Sequence, residues 1–110
     1  MTYKDIADMI ESIGLPFTYY SFPIGNVPDL PYIVFYYPNN DDFSADNSNY
    51  VKSVRLNLEL YTKNKDFDTE QTVENVLNSH GLFFARSEQY LTSESMYEVL
   101  YETEVIIKGE

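Results

Sequence analysis

Apolar and polar residues alternate along the stretch from Met96 to Ile107. Tyr97, Val99, Tyr101, Thr103, Val105 and Ile107 fall on one face, and Glu98, Glu102 and Glu104 mark the other. A period of two is the signature of a β-strand with one buried side. At about 3.4 Å per residue the run reaches about 40 Å, against a usual strand of about five or six residues. Part of it is therefore expected to project past its own domain, where an unpaired strand seeks a partner. The same alternation from Tyr50 to Thr62 sets Val54, Leu56, Leu58 and Leu60 against Ser53, Arg55, Asn57 and Glu59, which predicts a central, half-buried strand. Tyr32-Ile33-Val34-Phe35-Tyr36-Tyr37 differs: it is continuously apolar or aromatic between two prolines, a strand whose two faces both want cover.

Two segments change period. Ile6, Met9, Ile10 and Ile13 recur at helical spacing behind Thr2 and Asp5, a capping-box-like start with Asp where Glu or Gln is usual; Gly14 and Pro16 end the run. Asp66 or Asp68 can cap a second helix, with Glu70 and Glu74 in its first turns, Val73, Val76 and Leu77 as its buried stripe and Gly81 as its stop. Phe17 to Phe22 and Leu82 to Tyr90 read as further strands. Leu91 to Ser95 reads as the turn of a terminal hairpin. Pro38 to Asn49 is a polar loop.

The order α-β-β-β-α-β-β predicts a single α+β domain over residues 1–110: a twisted, mostly antiparallel sheet of about five strands with two helices on one face. Two helices can cover only one face, so the second apolar face of the Tyr32 strand either meets another subunit or leaves its tyrosines to solvent. Tyr32, Val34, Tyr36 and Tyr37, with Tyr97 and Tyr101, are the candidate subunit interface.

Composition narrows the function. The chain has 110 residues and no cysteine, which excludes disulfides, thiolate metal sites and thiol nucleophiles. Eighteen acidic residues against seven scattered basic ones give a net charge of −11. No basic patch can neutralise a row of phosphates, which argues against nucleic-acid affinity. No apolar run approaches the roughly 20 residues that cross a bilayer, and a soluble, unsecreted protein is expected.

No chemistry announces itself. His80 is the sole histidine and falls at the end of the second helix, where an imidazole complements the helix dipole. The glycines are isolated, so no phosphate-binding loop exists, and no Gly-x-Ser-x-Gly elbow supports a serine nucleophile. Asp41, Asp42 and Asp46 form a carboxylate group without the glycine and terminal Glu of a calcium loop. No catalytic residue, cofactor or metal is expected. The eleven tyrosines suit strands and interfaces alike.

The small acidic cysteine-free chain, the element order, the long middle loop and the long last strand resemble the tail terminator, or tail completion, proteins of long-tailed bacteriophages. The wording of Met1 to Tyr20 and of Tyr32 to Asn39 is similar to small virion proteins from the tail-joining region of phages and prophages of Gram-positive bacteria. The resemblance implies a self-assembled ring, commonly a hexamer, at the head-proximal end of the virion tail, put together in the host cytoplasm. Such a ring touches the major tail tube protein and the head-tail connector proteins, while DNA passes through its lumen without specific binding. Asp41, Asp42 and Asp46 are the candidate lumen or tube-facing loop. Two alternatives stand beside it: a neck or head-closure protein of the same class, and an acidic DNA-mimic inhibitor, which would carry regularly spaced carboxylates such as Glu98, Glu102 and Glu104 on an exposed face.

Overall fold

The computed structural model describes residues 1–38 and 51–108. Its elements are α1 (Tyr3–Glu11), β1 (Phe17–Tyr19), β2 (Tyr32–Tyr36), β3 (Val51–Thr62), α2 (Phe67–Ser79), β4 (Phe84–Leu91) and β5 (Met96–Lys108). The fold is α+β, with a single open sheet in the order β1-β2-β3-β5-β4. All neighbouring strands are antiparallel except β1 and β2.

Local chemistry starts both helices. Asp5 N–H donates to Thr2 Oγ1 at 3.0 Å, and Thr2 N–H returns a bond to Asp5 Oδ2 at 2.9 Å, so the shorter Asp closes the capping box. Asp66 accepts from Thr69 N–H at 3.0 Å and starts α2. Ile6, Met9, Ile10 and Ile13 from α1 and its exit, with Val73 and Leu77 from α2, pack on Ile33, Phe35, Val54, Leu56, Leu58, Leu60, Val99, Tyr101, Val105 and Ile107. Both helices therefore cover one face of the sheet, and the hydrophobic effect makes that side the core.

The long last strand does not run free. β5 lies inside the sheet, matched by β3 along its length from Val51↔Lys108 to Thr62↔Tyr97. β4 accompanies it only from Met96 to Thr103, so Glu104–Lys108 reaches past β4 as half of a two-stranded ribbon. Met1 closes part of that ribbon's outer edge: its amino group donates to Ile106 O at 3.1 Å, and Lys108 N–H donates to Met1 O at 3.1 Å. The strand expected over Phe17 to Phe22 stops at Tyr19, because Tyr20 takes a left-handed φ of 72° and turns the chain away. The chain then needs the whole of residues 20–31 to return parallel to β1, as a parallel crossover requires.

Candidate functional site

The register assigns every strand residue to a face. The side away from the helices carries Tyr32, Val34 and Tyr36 from β2, Arg55, Asn57, Glu59 and Tyr61 from β3, Glu98, Leu100, Glu102 and Glu104 from β5, and Ser87 and Gln89 from β4. Four carboxylates thus share one sheet face with two basic residues, Arg55 and Lys108. Glu59, Glu98 and Glu102 are half-buried and Glu104 is exposed.

Tyrosines order two of these carboxylates. Tyr36 Oη donates to Glu59 Oε2 at 3.0 Å. Tyr61 Oη lies between two acids, 2.6 Å from Glu59 Oε1 and 3.1 Å from Glu98 Oε2, and its single proton goes to the nearer one. Burial, then the adjacent Glu59 and Glu98, push the Tyr61 hydroxyl far above the ordinary tyrosine range, because losing its proton would set a third negative charge among them. Gln89 Nε2 donates to Glu98 Oε1 at 2.6 Å and Asn57 Nδ2 to Tyr36 Oη at 3.3 Å. Asn57 Oδ1 is buried and meets no donor among the described residues. The network holds charge on a sheet face, and its Glu98 and Gln89 line a shallow surface pocket with Ser87, Glu88 and Leu100.

The six candidate interface residues do not form one surface. Tyr32, Val34 and Tyr36 lie on the helix-free face, whereas Tyr37, Tyr97 and Tyr101 belong to the helix side. Tyr32 and Val34 are buried by the chain itself, since residues 20–31 fold back over β2. Phe22 stacks edge-on against Tyr32 with centroids 5.1 Å apart, and Tyr20 against Tyr36 at 6.1 Å. Tyr20 and Phe22 thus cover part of the face that the sequence left open between another subunit and solvent. Tyr101 is fully buried in the core, its hydroxyl donating to Glu74 Oε2 at 2.8 Å. Tyr37 packs among Tyr3, Tyr19 and Phe35, and burial is the main cause raising its hydroxyl to about 12. Tyr97 pairs with Tyr90 of the neighbouring strand at 4.8 Å. Asp41, Asp42 and Asp46 lie outside the described residues.

A second charged group ties α2 to the sheet. Glu70, 3 % exposed, receives Lys65 Nζ at 2.7 Å and an Arg86 guanidinium nitrogen. Arg86 Nε reaches Glu74 at 3.3 Å, and Lys65 also holds Glu88 at 2.7 Å. Nothing local in the sequence joins positions 65, 70 and 86.

A surface groove between α1 and the end of α2 brings Ser12, His80, Asp5 and Asp8 near one another. Each is engaged with its own element: Ser12 Oγ donates to Met9 O, Asp5 caps α1, Asp8 pairs with Lys4, and His80 Nδ1 lies 3.0 Å from Val76 O. Ser12 and His80 share no hydrogen bond; the imidazole's serine neighbour is Ser79, whose Oγ lies 3.3 Å from Nδ1 at the end of α2, and among the described residues no three His, Asp or Glu side chains converge on a metal position. Among the described residues no helix is long and apolar enough to cross a membrane. No protein-family model matches the chain, and no curated protein matches it significantly.

Proposed function

We propose that the chain is a structural virion subunit that forms a ring on the head-proximal end of a phage tail tube, stops tube growth and joins tail to head. The observation that carries this reading is the helix-free sheet face, where, among the described strand residues, Glu59, Glu98, Glu102 and Glu104 stand against Arg55 and Lys108. Turned toward a lumen, such a face repels phosphates and lets DNA slide. Identical subunits meeting head to tail close a ring when the rotation between them permits. The ribbon of β3 and β5 beyond β4 extends the subunit in one direction and offers an arm toward the tube or the connector.

The same row of carboxylates also favours a second reading of a different class, a DNA mimic that occupies the basic groove of a nucleic-acid-binding protein. Deleting the gene from the phage or prophage that encodes it separates the two. Overlong, unjoined tails beside filled heads are the expected result. Tails of normal length beside leaking heads would assign the chain to the neck instead. Intact infectious virions would refute a structural role and leave the mimic.

A further inference from the structure

We propose that β4 is a homotypic docking edge, through which two copies of the chain pair antiparallel about a two-fold axis at Ser87 and merge their sheets into one. β4 is the last strand of the sheet, with β5 on one side and, among the described residues, no strand on the other. Its residues from Ala85 to Tyr90 are all exposed.

The backbone fixes which residues face outward. Ile106 O and Lys108 N point to the β4 side of β5, because Met1 bonds both there. Strand alternation then points Glu98, Leu100 and Glu102 the same way, toward Gln89, Ser87 and Ala85. The backbone groups of Phe84, Arg86, Glu88 and Tyr90 accordingly point away from the sheet. The alternation propagates correctly to the far edge, where Ile33 N–H donates to Pro16 O and Phe35 O accepts from Tyr20 N–H. A second β4 can bond only if its own outward residues lie opposite these, which limits the pairing to registers centred on a residue.

Side chains select among those registers. Centring on Arg86 or on Glu88 sets that residue opposite its own copy, like charge on like. Centring on Ser87 sets Arg86 opposite the second copy's Glu88, and Glu88 opposite its Arg86. The same register places Phe84 opposite Tyr90, an aromatic cross-strand pair. On the other face it places Phe83, 92 % exposed and immediately before β4, opposite Leu91. In this one register every charged and every large apolar residue of the edge faces a complementary neighbour across the seam, Arg86 and Glu88 in addition to the Glu70, Glu74 and Lys65 they meet within the chain. Arg86 and Glu88 thus guard the edge against unrelated strands while admitting a copy of it. Being isologous, the contact closes on itself as a pair; it is separate from the head-to-tail contacts of a ring and does not rest on that reading.

The absence of native cysteine makes the test clean. In the Ser87-centred pair the two Ser87 residues face each other at a non-hydrogen-bonded position, with Cα atoms about 4.5 Å apart, inside the reach of a disulfide. Ser87→Cys is expected to form a covalent dimer under mild oxidation at least about tenfold faster than Ser93→Cys in the β4–β5 turn, owing to its effective concentration. Ala85→Cys and Gln89→Cys should each cross-link slowly alone and readily when mixed. Light scattering of the parent chain is expected to report twice 12.8 kDa, and Glu88→Pro, which removes an outward-facing N–H and leaves the β5 ladder intact, should abolish that dimer. The variant's retained fold is checked by amide spectra. Cross-linking of Ser87→Cys no faster than Ser93→Cys, or a parent chain that stays monomeric at millimolar concentration, would overturn the proposal.

Discussion

Replacing Tyr101 by alanine is expected to cost about 3–5 kcal/mol of folding stability, the range for deleting a large buried aromatic. Tyr101 has no exposed surface; its ring meets Phe84 edge-on at 5.3 Å, and its hydroxyl donates to Glu74. It stands at the centre of β5, directly across from Leu58 of β3 and Arg86 of β4, so the void would open under α2 where neighbouring strands cannot collapse into it. Against a typical total of about 5–15 kcal/mol, this leaves a marginal domain. Tyr101→Phe keeps the ring and loses one hydrogen bond, and should cost only about 0.5–1.5 kcal/mol. Urea unfolding of both variants measures the difference. A Tyr101→Ala chain as stable as the parent would mean that this side chain is not in the core and would restore it as a surface contact.

Glu70→Ala is the second large effect, at about 2 kcal/mol. The carboxylate is 3 % exposed and its charge is balanced by Lys65 and Arg86, whose side chains remain 23 % and 33 % exposed. Removing a fully buried ion's partner costs about 3–5 kcal/mol, but here the stranded cations can turn partly to water, which lowers the figure. Glu88→Ala is the matched control. Glu88 pairs with the same Lys65 and lies near the same Arg86 but is itself 33 % exposed, so its loss should cost less than about 1 kcal/mol. Equal losses for the two variants would show that burial does not govern this network.

The alternation in the sequence carried much of the fold. It separated Leu56, Leu58 and Leu60 from Asn57 and Glu59, put Glu98, Glu102 and Glu104 together on the face away from the core, and placed α1 from four isoleucine and methionine positions. Asp66 and Asp5 marked the helix starts. Strand order was not legible, because periodicity records which face a residue occupies and is silent about lateral neighbours; β5 therefore read as a projecting strand when it lies between β3 and β4. The tyrosines of β2 left a subunit contact and solvent exposure both open for a related reason. Their second face is covered by Tyr20 and Phe22 from a proline-punctuated loop that carries no periodicity of its own. Tyr61 and Gln89, which position Glu59 and Glu98, and the meeting of Lys65 and Arg86 on Glu70 depend on strand register across long separations, to which no local pattern responds.

The most direct test of the proposed role is to look for the chain in purified virions of the phage that this proposal supposes to encode it, using a gold-labelled antibody and electron microscopy. The account predicts label at the junction of head and tail and none along the tube. Virions free of label, with the protein left behind in the host cell, would contradict it.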